Sequence, residues 1–91
     1  MPKVLIPTPL RQYVEKQDTV ELAGRTVGEV LGQLTDRYRD LRRQLYSDEG
    51  KLRSFVNVYL NDEDIRFLKN LETPVKEGDE ISIVPAIAGG M

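Results

Sequence analysis

The segment from residue 26 to residue 38, Thr-Val-Gly-Glu-Val-Leu-Gly-Gln-Leu-Thr-Asp-Arg-Tyr, decides the fold. Its apolar residues recur at the three- and four-residue spacing of a helix and form one stripe, namely Val27, Val30, Leu31, Leu34 and Tyr38. Thr26 and Glu29 have the spacing of a capping box, in which each side chain bonds the other residue's backbone N–H. Leu41 and Leu45 predict a further turn, so the sequence predicts one long amphipathic helix.

Strand-like segments stand on both sides of this helix. Residues 3–7 and 19–22 precede it and predict a hairpin with one apolar face. Residues 55–60 and 80–85 follow it and are rich in β-branched residues, which favour strands. Between these two strands, residues 65–67 predict a short strand or a single turn. The predicted order is therefore β-β-α-β-(β)-β.

This order predicts an α+β protein with the β-grasp, or ubiquitin-like, fold. A hairpin needs a cover for its apolar face, and the long helix is the obvious element to supply it. We expect a mixed sheet wrapped around one main helix, with the first and last strands adjacent in its middle. Gly28 and Gly32 are expected to let the helix approach the sheet closely. Residues 1–91 are expected to form a single domain, with residues 86–91 as a flexible C-terminal tail.

Composition excludes several classes of function. The 91 residues carry a net charge of −2, which disfavours binding to nucleic acid. No run of about 18 apolar residues and no signal peptide is present, so we expect a cytoplasmic protein that does not bind membranes. The chain has no cysteine and no histidine, which removes thiol nucleophiles, zinc–thiolate sites and the usual general base. We therefore predict no catalytic residue, no metal site and no bound cofactor, and expect that the protein is not an enzyme.

Two charged segments have alternative interpretations. Carboxylates at Asp62, Glu63 and Asp64 suit a magnesium or calcium ion, but adjacent carboxylates on a turn point apart, so a solvated turn is favoured. Four arginines near the end of the helix can meet phosphate, but interleaved acids favour a solvated helix face. These arginines are Arg37, Arg39, Arg42 and Arg43.

The most informative segment for function is the C-terminal one, Ala-Ile-Ala-Gly-Gly-Met, at residues 86–91. Gly89 and Gly90 have no Cβ, so this tail is thin enough to enter a narrow channel in another protein. We interpret the carboxylate of Gly90 as the reacting group, and Met91 blocks it. The alternative is that the glycines only mark a frayed terminus.

Residues 55–64 (Phe-Val-Asn-Val-Tyr-Leu-Asn-Asp-Glu-Asp) and 78–90 (Gly-Asp-Glu-Ile-Ser-Ile-Val-Pro-Ala-Ile-Ala-Gly-Gly) resemble the ThiS/MoaD family of ubiquitin-like sulfur carriers. The resemblance covers nearly the whole chain and is strongest to the carrier of the cysteine-synthase pathway. It implies that an adenylating enzyme of the ubiquitin-activating type uses ATP and magnesium to convert the Gly90 carboxylate into an acyl-adenylate. Sulfide or a persulfide then displaces AMP and leaves a thiocarboxylate.

The same resemblance implies two further partners. The aminoacrylate of a pyridoxal-phosphate synthase would accept the sulfur, and an S-to-N acyl shift would leave cysteine in a peptide bond to Gly90. A JAMM-type zinc metalloprotease would then release the amino acid. The Gly90–Met91 bond has the connectivity of that adduct, so the same kind of protease is expected to remove Met91. The alternative is that Met91 is an addition left by expression.

The sequence leaves other destinations of the sulfur, and other functions, open. With the same fold, the chain is a candidate small subunit of molybdopterin synthase or a thiamin sulfur carrier, and homocysteine is an alternative product to cysteine. In a different class, it is a ubiquitin-like modifier joined to lysines through Gly90. A plain interaction module with an inert tail is the least specific alternative.

The alternation of side chains along the strands predicts a docking surface. Eight apolar residues are expected to face the helix: Val4, Ile6, Val20, Leu22, Val56, Val58, Ile81 and Ile83. Their neighbours Leu5, Phe55, Tyr59 and Val84 then point outward, where a sheet facing water usually shows polar residues. We predict that these four residues form a partner-binding patch near the tail. The alternative is that residues 11–17 fold over and bury them.

Overall fold

The sheet contains five strands within residues 1–85, the part of the chain that the computed structural model describes. Their bounds are β1 Lys3–Leu5, β2 Thr19–Glu21, β3 Val56–Leu60, β4 Glu63–Asp64 and β5 Glu80–Pro85. The spatial order is β2-β1-β5-β3-β4, and β1 and β5 are parallel while the other neighbours are antiparallel. The first and last strands are therefore adjacent in the middle of a mixed sheet, which confirms the predicted β-grasp arrangement.

The predicted helix forms, but it is not continuous. Helix α1 spans Val27–Arg37 and helix α2 spans Arg39–Leu45. Tyr38 separates them because its backbone, at φ −122° and ψ 85°, is not helical. The predicted apolar stripe is buried against the sheet side: Val27, Val30, Leu31 and Leu34 are all 0% exposed. Leu41 and Leu45 belong to the separate helix α2 rather than to a further turn of α1.

The start of α1 differs from a capping box in one bond. The hydroxyl of Thr26 accepts a hydrogen bond from the N–H of Glu29 at 3.1 Å, as predicted. The carboxylate of Glu29 accepts from the N–H of Arg25 at 3.0 Å, one residue earlier than expected. The backbone at this point is also joined to a distant segment, because the N–H of Val27 donates to the carbonyl of Thr73.

The predicted close approach of the helix glycines to the sheet is wrong. A Cβ added to Gly28 would lie 3.0 Å from the carbonyl oxygen of Leu71, in the 3-10 helix Asn70–Glu72, so Gly28 makes room for that turn. Gly32 has no neighbouring atom within 4 Å of an added Cβ. The close contact is therefore with the segment that precedes β5 and not with the sheet.

Two other segments also form 3-10 helices. Thr8–Val14 is a 3-10 helix that buries Leu10 and Val14 in the core and packs against α2. Ile65–Phe67 is a single 3-10 turn, one of the two predicted alternatives. All eight residues predicted to face the helix are buried, with exposed fractions of 7% or less.

Candidate functional site

Strand β5 leads directly to the C-terminal segment. It lies between β1 and β3, and its last residue, Pro85, pairs with Val56 at the start of β3. Residues 86–91 lie outside the described part of the chain. The roles assigned to Gly89, Gly90 and Met91 therefore stay predictions. The structure places Pro85, the last residue of β5, which precedes this segment in the chain.

The opposite end of β5 is fixed by hydrogen bonds between two turns. The side chain of Asn61 donates to the carboxylate of Asp79 at 3.0 Å and accepts from the N–H of Glu80 at 3.0 Å. Asp79 also accepts from the N–H of Lys76 at 2.7 Å. The hydrogen bond from Asn61, followed by that from Lys76, lowers the pKa of Asp79 below 3.8. Gly78 has a positive φ of +84°, which turns the chain into this position.

The outer face of the sheet presents three residues of the predicted patch, Leu5, Tyr59 and Val84, whereas Phe55, predicted to begin the strand, lies in the turn that precedes β3. Leu5 and Tyr59 both pair with Ser82, so these three side chains form one row across β1, β5 and β3. Val84 is 45% exposed and Phe55 is 41% exposed, whereas Leu5 and Tyr59 are half-buried. The partner-binding role of this patch stays a prediction. Its position, next to the strand end that leads to residues 86–91, is established.

Sequence reasoning missed the polar side chains inside this patch. Ser82 lies between Leu5 and Tyr59, and Asn57 pairs with Val84. The period of two that placed Val84 on the outer face places Ser82 and Asn57 there as well. The patch is therefore apolar with hydrogen-bonding groups at its centre, rather than continuously apolar.

The alternative that residues 11–17 cover the patch is wrong. Most of this segment belongs to the 3-10 helix Thr8–Val14, which packs against α2 and buries Val14 in the core, on the helix side of the sheet. The other end of the outer face is charged, because Lys3 pairs with Glu21 on one side and Glu80 on the other. The apolar part of the outer face is thus confined to the end near Pro85.

The acidic turn is not fully solvated. Asp62 and Glu63 are exposed, but Asp64 lies in β4 and is only 8% exposed. Its carboxylate accepts from the guanidinium of Arg66 at 2.7 Å and from the N–H of Arg66 at 2.8 Å, which lowers the pKa of Asp64. Within residues 1–85 no group of three side chains of the metal-ligating acidic, histidine or cysteine types is arranged to hold a metal ion.

A family model provides the deciding comparison. The model of the ThiS family matches residues 4–90. The chain belongs to the ThiS family. The match includes both glycines of the tail and ends one residue before Met91. The predicted family is thereby confirmed over nearly the whole chain.

Individual relatives agree with this assignment. The sulfur carrier protein CysO of Mycobacterium tuberculosis is 44% identical over 89 residues, which are 96% of each chain. The structure of a BexX/CysO complex from Amycolatopsis orientalis contains a chain with a TM-score of 0.88 and 43% identity, covering 99% of this chain and 100% of that one.

A protein that is named a modifier, and not a sulfur carrier, is also similar. The small archaeal modifier protein 1 of Methanosarcina acetivorans has a TM-score of 0.85 and 33% identity, and the match covers 98% of this chain and 95% of that one. These structures confirm the ubiquitin-like fold. In the described part of this chain, no helix is long and apolar enough to cross a membrane.

Proposed function

We propose that this protein is a cytoplasmic sulfur carrier that supplies sulfur for the synthesis of cysteine or homocysteine. The observation that carries the proposal is the family match, which extends through the tail and ends at Gly90. The 44% identity to a protein named sulfur carrier CysO favours the cysteine outlet over the molybdopterin and thiamin outlets. The protein itself acts as a carrier and co-substrate, and the catalytic groups belong to its partner enzymes.

The first step is activation of the Gly90 carboxylate. A carboxylate is a poor electrophile, so an adenylating enzyme must first join it to AMP, using ATP and magnesium that the enzyme holds. The carboxylate oxygen attacks the α-phosphate of ATP, and pyrophosphate leaves. Sulfide or the terminal sulfur of a persulfide then attacks the acyl carbon, and AMP leaves. Where a persulfide is the donor, the product is an acyl disulfide, and a second thiol attacks the donor's sulfur, forms a disulfide with it and releases the terminal thiocarboxylate.

Two features of the chain suit this chemistry. A terminal thiocarboxylate stores sulfur without a cysteine in the carrier, and the chain has none. Strand β5 is fixed at its start by Asp79 and Asn61, pairs with β1 as far as Ser82 and pairs with β3 as far as Pro85. A rigid strand that ends at Pro85 leaves only residues 86–90 to span the distance into a partner's active site.

Met91 must be removed before activation. While it is present, the carbonyl of Gly90 belongs to an amide, which has no free oxygen to attack ATP. We propose that a JAMM-type metalloprotease cleaves the Gly90–Met91 bond. The same protease would release cysteine after a pyridoxal-phosphate synthase has transferred it to Gly90.

The outer-face patch is the proposed docking surface for the adenylating enzyme. Val84 and Phe55 are large apolar side chains that remain exposed close to the strand end that leads to Gly90. Apolar side chains exposed together on a small protein commonly mark an interface. A partner seated there would hold Pro85 at the entrance to its own active site.

A second candidate function is protein modification. The 33% identity to small archaeal modifier protein 1 supports this second candidate. Both functions begin with adenylation of Gly90 and differ in the nucleophile that follows. A sulfur nucleophile leads to a thiocarboxylate, whereas a lysine amine leads to an isopeptide bond.

Intact-mass measurement of the protein from its native host separates the two. Sulfur carriage predicts a species that lacks Met91 and is heavier than the free acid by the difference between sulfur and oxygen. Modification predicts covalent adducts of the chain on other proteins. If every molecule retains Met91 under sulfur-limited growth and no adduct is present, the proposal is wrong.

A further inference from the structure

Helix α2 carries three arginines on its exposed face. Arg39, Arg42 and Arg43 are three and four residues apart, which places their side chains on one face of the helix. All three are exposed, whereas Leu41 and Leu45, on the opposite face, are 0% exposed. The buried face of α2 therefore belongs to the core, and the arginine face is free to contact another molecule.

A fourth arginine joins this face from the segment that follows α2. The Nε of Arg53 donates to the carbonyl of Arg43 at 2.9 Å, and the N–H of Arg53 donates to the carbonyl of Leu45 at 2.9 Å. These two bonds hold half-buried Arg53 against the C-terminal end of the helix. We call Arg39, Arg42, Arg43 and Arg53 the arginine cluster.

The charge of the cluster is not balanced by the described residues. Within residues 1–85 the ion pairs shorter than 4.0 Å are Met1 with Glu77 and Arg66 with Asp64, so no member of the cluster has a carboxylate partner there. Residues 37–53 contain six basic and three acidic residues, whereas the whole chain carries a net charge of −2. The segment is thus opposite in sign to the protein that carries it.

Helix stabilisation accounts for only part of the cluster. Arg42 and Arg43 lie in the last turn of α2, where the helix dipole favours a cation. Arg39 is the first residue of the same helix, where the dipole disfavours one. The arrangement of the cluster therefore suits an external negative surface better than it suits α2 itself.

Hydrogen bonds connect the cluster to the strand end that leads to the C-terminal segment. The carbonyl of Arg53 accepts from the N–H of Val56 at 2.9 Å, and Val56 pairs with Pro85. The cluster reaches this end of the molecule from the helix side of the sheet, whereas Val84 reaches it on the outer face. A protein that receives residues 86–90 would therefore meet apolar side chains on one side of Pro85 and arginines on the other.

We propose that the arginine cluster docks against an acidic surface beside the channel of the adenylating enzyme. This inference rests on the proposed function and adds the chemistry of the partner surface. Complementary charges at the rim of an interface act mainly on the rate of association and on its salt dependence. Nucleic acid is a poor occupant, because the net charge of −2 repels a polyanion.

The test measures association of the chain lacking Met91 with the adenylating enzyme of the same organism by stopped-flow. The double variant Arg42→Glu/Arg43→Glu should associate at least about tenfold more slowly at about 0.1 M salt, because it reverses two charges of the cluster. At about 1 M salt, where the Debye length falls from about 10 Å to about 3 Å, its rate should approach that of the unchanged chain. The dissociation rate should change less than the association rate.

Two further variants control for charge and folding. Arg25→Glu makes the same charge change as Arg42→Glu, but at the opposite end of α1, a helix about 16 Å long, which exceeds the Debye length at about 0.1 M salt. We expect Arg42→Glu to slow association and Arg25→Glu to leave it unchanged. Arg42→Gln/Arg43→Gln removes both charges without placing acids at the helix end, so it should slow association in the same direction even if the glutamate variant folds poorly.

Each opposing result has a defined meaning. Equal association rates of the folded cluster variants and the unchanged chain, with ATP–pyrophosphate exchange intact, would overturn this inference and leave the proposed function standing. Absence of exchange with the unchanged chain lacking Met91 would overturn both. Micromolar binding of a single-stranded oligonucleotide, or dimerisation of the chain alone, that Arg42→Glu/Arg43→Glu abolishes would assign the cluster to nucleic acid or to a second copy instead.

Discussion

The two faces of β5 differ in what surrounds them. Ile81 and Ile83 point toward the helices and are 0% and 2% exposed, whereas Val84 points to the outer face and is 45% exposed. Burial of the inner side chains stabilises the fold. The exposed apolar side chains of the outer face gain nothing comparable from folding, and such patches commonly serve binding. Substitutions on the two faces should therefore separate stability from partner binding.

The largest effect on stability is expected in helix α1, which packs on the inner face of the sheet. Leu34 is 0% exposed on the α1 stripe, so Leu34→Ala should lower the free energy of unfolding by about 2 to 5 kcal/mol. Denaturant titration of the purified variant measures this directly. A loss below about 0.5 kcal/mol, the range typical of surface substitutions, would show that α1 does not cover the sheet as described.

The next effect is expected on the outer face, in binding rather than in stability. Val84→Asp should weaken the complex with the adenylating enzyme at least tenfold, or about 1.4 kcal/mol, because it places a charge in the apolar patch. It should cost at most about 1 kcal/mol of stability, the span of strand propensities. Tyr59→Glu should behave in the same way.

The matched control for this pair is Glu21→Ala. Glu21 is exposed at the charged end of the same face, where β2 pairs with Lys3. Its substitution should change neither affinity nor stability measurably. Unchanged affinity of both folded patch variants in calorimetric titration would place the interface elsewhere.

The smallest effect is expected at the fixed end of β5. Asp79 has a pKa below 3.8 in the folded protein, so the unfolded chain binds more protons and stability rises with pH through this range. The contribution of Asp79 is fully present above about pH 4 and is lost as the pH falls through 3.8 toward the lower folded pKa. Asp79→Asn should therefore be modestly less stable at neutral pH and should converge with the unchanged protein in acid.

Thermal unfolding across that pH range tests this, with Asp62→Asn as the control because Asp62 is exposed in the neighbouring turn. A difference between Asp79→Asn and the unchanged protein that stays constant from pH 7 to strongly acidic solution would show that the carboxylate charge does not hold the two turns together.

The parts of the fold that sequence predicted are those set by local pattern. Period-two alternation placed Ile81 and Ile83 inside, and the 3.6-residue period placed Leu34 on the buried stripe. Each of these features depends on a few neighbouring residues, so the local sequence is enough to predict it.

The parts that sequence missed depend on contacts between distant segments. Gly28 meets Leu71, in a segment far along the chain, rather than the sheet. The partner of Asp64 is near in sequence, but its burial depends on how the 3-10 turn folds back beside β3. β4 pairs only with Tyr59 and Leu60, and no local pattern specifies where this pairing stops.

The central claim is that Gly90 is the reacting residue, and ATP–pyrophosphate exchange tests it most directly. The adenylating enzyme of the same organism is assayed with the full chain, with the chain lacking Met91, and with the chain lacking both Gly90 and Met91. We expect exchange only with the form that ends at Gly90, because it alone presents a diglycine carboxylate. Equal exchange with the full chain and the form lacking Met91 would contradict the claim that Met91 blocks activation, and exchange with the form lacking both residues would contradict the role of Gly90.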